Sequence, residues 1–255
     1  MNIVPTRRSN ATGGIAEKTA ILRPSILTKT NYCHRMALFN TNAWNRIRYT
    51  VWAPIYNRLA KVFAPQRKRS FEVLNLQAGE RVLLVGAATG VDLDFLPPGV
   101  HATAIDITPA MIGRLNQHAQ ELKRKLNIAA VGRVMDAQQM DFADGSFDAV
   151  VLHLILAVVP DPIRCLCEVE RVLRTGGRAV IFDKFAPDTG PIPWKLRLLN
   201  PLASLVATHV NRKLETILRS SELVVEMDEN AGMNGFFRIV LVRKPGCQTE
   251  SAAIG

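Results

Sequence analysis

Short apolar runs recur along residues 80–185, and polar or amphipathic stretches separate them. Runs of this length, bounded by glycine or polar residues, are typical of parallel strands buried on both faces, and amphipathic stretches between them predict crossover helices. The predicted strands are 82–85, 102–106, 128–134, 149–152 and 178–183, and the predicted helices begin at Val91, Pro109 and Pro162. We expect Gly176-Gly177 to stop the last of these helices. The alternation predicts an α/β fold with a doubly wound sheet.

The end of the chain shows a different pattern. Leu223–Met227 and Phe236–Arg243 are two strand-like runs with Gly232 and Gly235 between them. Two such runs joined by a short glycine-containing loop predict an antiparallel pair. Added to the five parallel strands, this pair would close a seven-stranded sheet.

A basic amphipathic stretch precedes the predicted sheet. Apolar residues spaced three and four apart form one helical stripe, namely Trp44, Ile47, Val51, Ile55, Leu59 and Val62. Basic residues lie off that stripe, namely Arg46, Arg48, Arg58 and Lys61, and Arg67-Lys68-Arg69 closes the segment. Because a basic helix with an aromatic apolar face can lie in a membrane interface, we predict a helical lid over 36–70 that also suits an anionic membrane surface.

The positive charge of the chain is concentrated at its N-terminus. Residues 1–71 hold 13 of the 32 Lys and Arg residues and one acid, Glu17, whereas the remainder holds 19 basic and 21 acidic residues. The acid-poor stretch 1–35, interrupted by proline and glycine, predicts a disordered basic arm or an organellar presequence. The catalytic or binding domain is then expected over 71–245, with a tail at 246–255.

Cysteine spacing and hydropathy limit the location of the chain. The four cysteines do not have the spacing of metal ligands, which favours reduced thiols and predicts no metal site. The longest apolar run, Leu154–Val159, is far below the roughly 20 residues that a membrane-spanning helix needs. We therefore expect a cytoplasmic protein, peripheral on a membrane if the lid docks there, with import through 1–35 as the alternative.

Glycines and one carboxylate follow the first two predicted strands. A loop from Gly86 to Gly90 lets the backbone approach a ligand closely, and amides at the next helix start can face an anion. Asp106 ends the second strand, where a carboxylate commonly accepts the ribose hydroxyls of a nucleotide-like cofactor. The loop lacks both the dinucleotide G-x-G-x-x-G pattern and the P-loop ending, so the sequence predicts another cofactor with a ribose.

Gly86-Ala87-Ala88-Thr89-Gly90 resembles the first motif of class I S-adenosylmethionine-dependent methyltransferases, with Ala88 at the usual middle glycine and Leu84 at a commonly acidic position. The segment 135–140 resembles the stretch after strand 3 in that family, and 142–162 resembles strand 4 and its loop. Residues 170–185 resemble the helix and strand 5 of the UbiE-like and phospholipid N-methyltransferase branch. The resemblance implies a Rossmann-like seven-stranded sheet that binds S-adenosyl-L-methionine.

The same resemblance assigns roles to residues. It implies that Asp106 binds the ribose, that Ile107 lies against the adenine, and that Asp136 binds the adenine amino group. The full predicted cofactor-binding set is Gly86, Ala87, Ala88, Thr89, Gly90, Asp106, Ile107, Asp136, Ala137 and His153. The stretch 49–59 resembles the lid of the family, which places Tyr49 and Tyr56 at the mouth of the site or in simple packing. The predicted catalytic residues are His153, as a general base just past strand 4, and Tyr56; a structural role for His153 is the alternative.

These expectations lead to three hypotheses of different classes. The first is a methyltransferase acting on a small or amphiphilic acceptor, either a phosphatidylethanolamine-type lipid amine or a quinone precursor. The second is a non-catalytic methyltransferase-fold scaffold, which the replacements at Ala88 and Leu84 favour. The third is an RNA methyltransferase using the basic arm; the absence of an N/D-P-P-Y segment and of a nucleophile-like cysteine disfavours nucleic acid.

Overall fold

The computed structural model describes residues 42–43, 46–47, 61–126, 128–186, 212–232 and 235–246. The predictions for Tyr49, Tyr56, the arm at 1–35 and most of the tail fall outside these ranges. Within them, no helix is both long enough and apolar enough to cross a membrane.

Seven strands of the described residues form one sheet in the order β3-β2-β1-β4-β5-β7-β6. Their bounds are β1 Arg81–Val85, β2 His101–Asp106, β3 Ala129–Val134, β4 Phe147–His153, β5 Leu173–Lys184, β6 Val224–Gly232 and β7 Phe237–Arg243. Strands β1 to β5 pair in parallel, whereas β7 pairs antiparallel with β5 and with β6. The doubly wound sheet with a C-terminal antiparallel pair is therefore confirmed. The chain order reverses between β1 and β4, and doubly wound sheets bind ligands at the carboxyl ends of such strands.

Helices cover both faces of this sheet. They are α1 Ala64–Leu74, α2 Pro109–Leu126, α3 Pro162–Val172 and the short α4 Leu214–Leu218, with 3₁₀ helices at Lys61–Phe63 and Val91–Phe95. Proline opens α2 and α3 because the first helical position needs no backbone donor. At α3, Asp161 also accepts a hydrogen bond from the Arg164 amide at 3.0 Å, so the helix start is capped by the side chain. The basic run Arg67-Lys68-Arg69 lies inside α1 instead of closing the segment before it.

The strands alternate their side chains between two core layers. One layer holds Leu83, Val85, Val150 and Leu152 against α3 and α4. The other holds Val82, Leu84, Val151 and Phe182 against α1 and α2. Both layers are buried, which explains why the strands read as continuous apolar runs. Leu84 is 1% exposed, so the position that is commonly acidic in the resembled family here belongs to the core.

The prediction that Gly176-Gly177 stops α3 is wrong. The helix ends at Val172, and β5 begins at Leu173 and continues through both glycines. Gly176 has φ of +73°, and a Cβ at Gly177 would lie 2.8 Å from the Arg174 carbonyl oxygen. The glycines therefore accommodate the register shift between β4 and β5 at Phe147–Ala149. Strand β6 is also longer than predicted, because it extends to Gly232.

Candidate active site

A pocket opens at the carboxyl ends of β1, β2 and β3. Its lining residues are Asn42, Gly86, Ile105, Asp106, Ile107, Met135, Asp136, Ala137, Ile155, Val158 and Val159. Parallel strands bring their carboxyl ends to one edge, so residues far apart in sequence meet here. The pocket therefore unites predicted cofactor residues from three strand ends: Gly86, Asp106, Ile107, Asp136 and Ala137.

Asp106 is held rigidly at the end of β2. Its Oδ2 accepts a hydrogen bond from the Ala88 amide at 3.0 Å, and its Oδ1 accepts one from the Thr108 amide at 2.8 Å. Burial raises the pKa of Asp106, and the two backbone amides act in the opposite direction. Each carboxylate oxygen can accept more than one hydrogen bond, so the fixed carboxylate can still receive hydroxyl donors from the pocket.

The loop after β1 has the backbone of a glycine loop. Gly86 has φ of +67°, and a Cβ there would lie 2.5 Å from Ile155 Cδ1, so a larger residue would be strained and would force the Ile155 side chain to shift. Gly90 has φ of +84°, and a Cβ there would lie 2.9 Å from Leu115 Cγ. Ala88 also has a positive φ, +47°, which L-residues other than glycine rarely adopt. The chain thus forms the glycine-type loop with an alanine in the middle.

The other residues of this loop are buried behind the pocket lining. Ala87, Ala88 and Thr89 are buried, at 3%, 6% and 2% exposure, and they are not among the residues that line the pocket. The Ala88 amide is directed at Asp106. These residues therefore connect β1 to the carboxylate of β2, and Gly86 is the loop member that reaches the pocket.

Asp136, just after β3, makes contacts on both carboxylate oxygens. Its Oδ1 accepts from the Gln138 amide at 2.9 Å and from Gln138 Nε2 at 3.1 Å. Its Oδ2 accepts from Asn42 Nδ2 at 2.5 Å. Gln138 is itself fixed, since its Oε1 accepts from the Asp161 amide at 2.8 Å. Sequence reasoning missed Asn42 and Gln138, because nothing in their local patterns indicates a contact with Asp136.

The loop between β4 and α3 supplies the apolar wall of the pocket, through Ile155, Val158 and Val159. Asp183 lies beneath this loop and accepts hydrogen bonds from the amides of Ala157 at 3.0 Å and Lys184 at 2.8 Å.

Arg212 holds the same loop from another side. It donates to the Val159 carbonyl at 2.6 Å and to the Leu156 carbonyl. Burial raises the pKa of Asp183, and burial lowers the pKa of Arg212 to about 10. Both side chains bind backbone groups of the loop, so they fix the apolar wall in place.

His153 ends β4 but is not among the residues that line the pocket. Its Nδ1 lies 2.9 Å from Asp92 Oδ1, which also accepts from Arg67 Nη1 at 2.5 Å. The imidazole packs edge-on against Phe71 and Phe182, with centroid distances of 5.7 and 5.9 Å. We call Arg67, Asp92 and His153 the buried triad. Arg67 belongs to α1, Asp92 to the 3₁₀ helix after Gly90 and His153 to the end of β4. The catalytic role of His153 stays a prediction.

The charges of the buried triad compensate one another. Burial alone would raise the pKa of Asp92, but the attraction of His153 and Arg67, with their hydrogen bonds, holds it well below its usual range. The side chains of Arg67, Asp92 and His153 are 3%, 5% and 1% exposed. The triad therefore fastens α1 to the 3₁₀ helix that follows Gly90.

Comparison with known proteins identifies relatives of this chain. Residues 83–181 match the methyltransferase domain family. A phosphatidylethanolamine N-methyltransferase from Cereibacter sphaeroides is 32% identical over 74% of this chain and 92% of that protein. A demethylmenaquinone methyltransferase from Beutenbergia cavernae is 32% identical over 56% of this chain and 59% of its own length. The human thiol S-methyltransferase TMT1B is 30% identical over 67% and 72%.

Solved structures share the fold at low sequence identity. The [4+2]-cyclase SpnF superposes with a TM-score of 0.67 at 17% identity, covering 81% of this chain and 97% of that one. Geranyl diphosphate C-methyltransferase from Streptomyces coelicolor A3(2), solved with S-adenosyl-L-homocysteine, gives a TM-score of 0.57 at 18% identity, covering 71% and 76%. Together with the relatives at 30% identity or more, these matches show that the chain belongs to the class I S-adenosylmethionine-dependent methyltransferases, in the branch of the phosphatidylethanolamine and UbiE-type enzymes, with S-adenosyl-L-methionine as its cofactor.

Proposed function

We propose that this methyltransferase transfers the methyl group to an amphiphilic acceptor at a membrane surface, with a phosphatidylethanolamine-type lipid amine as the first candidate. The observation that carries the proposal is the pocket itself. It joins the Gly86 loop and the carboxylates of Asp106 and Asp136 to an apolar wall made by the β4–α3 loop. A nucleotide-like donor and an apolar acceptor would thus meet at one edge of the sheet.

The donor set of the pocket fits the cofactor. Asp106 presents a fixed carboxylate at the end of β2, which suits ribose hydroxyls. Asp136 presents a second carboxylate at the end of β3, which suits an adenine amine, and Ile107 and Ala137 supply apolar contacts between them. Gly86 has no side chain that would project toward Ile155. Their common location in one pocket supports the proposed cofactor roles of these residues.

The protein's task is mainly one of positioning. When bound, S-adenosyl-L-methionine supplies an electrophilic methyl group. The acceptor amine, having lost its proton to solvent, forms the new carbon–nitrogen bond as the carbon–sulfur bond breaks and S-adenosylhomocysteine is released, and this in-line transfer needs donor and acceptor to be correctly placed. Asp183 and Arg212 hold the β4–α3 loop by its backbone, so Ile155, Val158 and Val159 form a firm apolar surface. That surface excludes water and receives apolar parts of an acceptor.

Exposed residues near the N-terminus support docking on a membrane. Ile47 and Val62 are 61% and 70% exposed, although they belong to the predicted apolar stripe. The basic residues Arg46 and Lys61 are exposed beside them in sequence. Exposed apolar side chains next to cations suit an interface with anionic lipids. The lipid amine is favoured as acceptor because the phosphatidylethanolamine N-methyltransferase relative matches over 92% of its length.

A quinone precursor is the second candidate acceptor. The demethylmenaquinone methyltransferase relative is also 32% identical, though over a smaller share of both chains. A prenylated ring would also use an apolar wall, so the pocket chemistry accommodates either acceptor.

The test is transfer of a labelled methyl group in anionic vesicles that contain phosphatidylethanolamine, a demethylated quinone precursor, or neither. We expect label in the lipid amine, and loss of that label in the Asp106→Ala variant. Label in the quinone alone would establish the second candidate. Label in neither, by a protein that binds the cofactor, would refute a membrane amphiphile as the substrate.

Vesicle co-sedimentation tests the docking surface separately. Val62→Asp places a negative charge on the proposed surface, so binding to anionic vesicles should fall by about tenfold. Val224→Asp is the matched control, because Val224 is a 54% exposed valine on the edge strand β6. Equal binding by both variants would show that the surface around Val62 does not dock on the vesicles.

A further inference from the structure

Asn42 contacts the carboxylate to which the proposed function assigns the adenine amine. Asn42 lines the pocket, and its Nδ2 donates to Asp136 Oδ2 at 2.5 Å. The two residues are 94 positions apart in sequence, and Asn42 belongs to the segment that precedes α1. A residue of the N-terminal segment thus reaches the cofactor pocket directly.

The Asn42 side chain presents the same chemistry as the adenine amine. Both are planar NH₂ groups that donate two hydrogen bonds. Gln138 already supplies two donors to Asp136 Oδ1, from its amide at 2.9 Å and its Nε2 at 3.1 Å. Gln138 Nε2 also lies 3.4 Å from Oδ2, but the nearest donor to Oδ2 is Asn42 Nδ2 at 2.5 Å. Because Asn42 lines the pocket, an incoming amine and Asn42 would compete for the side of Oδ2 that faces the pocket.

The Asn42 amide is also held on its oxygen side. Gln138 Nε2 lies 3.4 Å from Asn42 Oδ1, so one glutamine contacts both members of the pair. Gln138 is anchored in turn by the Asp161 amide at 2.8 Å. These hydrogen bonds therefore link Asn42 to Asp161 at the start of α3, through Asp136 and Gln138.

We propose that Asn42 is a latch that occupies the adenine-amine position on Asp136, so that cofactor binding requires Asn42 to withdraw. The proposal rests on the proposed role of Asp136. The latch stabilises only the cofactor-free state. The apparent affinity is therefore the intrinsic affinity multiplied by the fraction of protein in which the latch is open.

The experiment is stopped-flow and calorimetric binding of S-adenosylhomocysteine to the full-length protein. Asn42→Leu keeps the number and branching of the side-chain heavy atoms but removes the donor, and Asn42→Ala removes both. Both variants should bind about three- to tenfold more tightly, because the association rate rises while the dissociation rate stays unchanged. The control is Ala43→Leu, which places the same side chain on the exposed neighbouring residue and should leave binding unchanged.

Weaker or unchanged binding by both variants, or an effect confined to the dissociation rate, would overturn the latch. If only Asn42→Ala tightens binding, the effect comes from volume and the hydrogen-bond latch is likewise refuted.

The Asp136→Ala variant distinguishes failure of the latch from failure of the proposed site. Asp136→Ala should weaken binding, and adding Asn42→Leu to it should give no gain, because the latch has lost its acceptor. If Asp136→Ala binds as tightly as the wild type, the assigned role of Asp136 is wrong. If Asp136→Ala weakens binding but Asn42→Leu does not tighten it, the site stands and the latch alone fails.

Discussion

The pocket and the buried triad each hold a carboxylate near the carboxyl ends of the central strands, and the two surroundings shift its pKa in opposite directions. In the pocket, Asp106 meets backbone amides, and burial raises its pKa. In the buried triad, Asp92 meets the charged side chain of Arg67 and the imidazole of His153, and its pKa is lowered. Neutral donors orient a carboxylate and leave it able to bind, whereas fully matched charges make it part of the core.

The largest expected effect is on stability, from Asp92→Ala. This substitution leaves Arg67 buried without its carboxylate partner, and breaking a buried ion pair in this way costs about 3–5 kcal/mol. The free energy of unfolding from urea denaturation measures the loss. Asp94→Ala is the matched control in the same 3₁₀ helix, since its partner His118 is 29% exposed and Asp94 itself is 54% exposed. A cost for Asp92→Ala as small as that of the control would contradict a stabilising triad.

Asp106→Ala should act on binding more than on stability. If Asp106 accepts two ribose hydroxyls as proposed, its loss should weaken S-adenosylhomocysteine binding about 100-fold, at roughly tenfold for each charge-assisted hydrogen bond. The unfolding free energy should change less than in Asp92→Ala, because the partly buried carboxylate of Asp106 has no charged partner among its hydrogen-bond contacts in the described residues. Calorimetric titration measures the affinity. Wild-type affinity in this variant would remove Asp106 from the site.

His153→Gln tests whether the end of β4 serves the triad or the reaction. From its contacts with Asp92, Phe71 and Phe182 we expect a stability loss of about 1–2 kcal/mol. The turnover number should stay within about threefold, because methyl transfer depends chiefly on positioning. A turnover loss of about 100-fold or more with unchanged stability would establish the general-base role that the sequence predicts.

The effects of Asp106 and Asp92 should also differ in their dependence on pH. Protonation of Asp106 removes an acceptor, so cofactor affinity should fall as the pH drops through the raised pKa of Asp106, by up to about tenfold per pH unit. The contributions of Asp106 and Asp92 to folding stability change with pH in opposite directions. Since the folded pKa of Asp106 is raised, its favourable contribution is present below the unfolded value of about 3.9 and is lost as the pH rises through the folded pKa.

The contribution of Asp92, whose folded pKa is depressed, is present above the unfolded value of about 3.9 and is lost as the pH falls toward the folded pKa.

The affinity prediction for Asp106 is tested by titrations with S-adenosylhomocysteine between about pH 4 and 7, which should give an affinity profile that Asp106→Ala flattens. An affinity profile with the wild-type slope in Asp106→Ala would assign the titration to another group.

The sequence predicts this sheet and half of this site for physical reasons. Buried parallel strands must be apolar on both faces, so they are visible as runs, and residues that follow them must lie at one edge. Asp106 could therefore be predicted from the strand pattern, whereas the role of Asp136 is implied by the family resemblance. Arg67 could not, because its burial depends on Asp92 and His153, which lie 25 and 86 residues away in sequence. Asn42 contacts Asp136 across a similar separation, and no periodic pattern marks it.

The smallest expected effect comes from Ala88→Gly, which tests whether the alanine impairs the cofactor loop. Glycine relieves a left-handed conformation that costs alanine about 1 kcal/mol, but it adds about 0.5–1 kcal/mol of conformational freedom to the unfolded chain. The two terms nearly cancel, so the unfolding free energy should change by less than about 0.5 kcal/mol.

Binding of S-adenosylhomocysteine should tighten by no more than about threefold, because the Ala88 amide already reaches Asp106 at 3.0 Å. Ala87→Gly is the control, since Ala87 is equally buried but lacks the positive φ, and it should only destabilise. Tightening of about tenfold or more in Ala88→Gly would mean that the Ala88 methyl group obstructs the cofactor. Little change would mean that the alanine loop is a working variant of the glycine loop, because the backbone conformation and not the glycine itself directs the amide to Asp106.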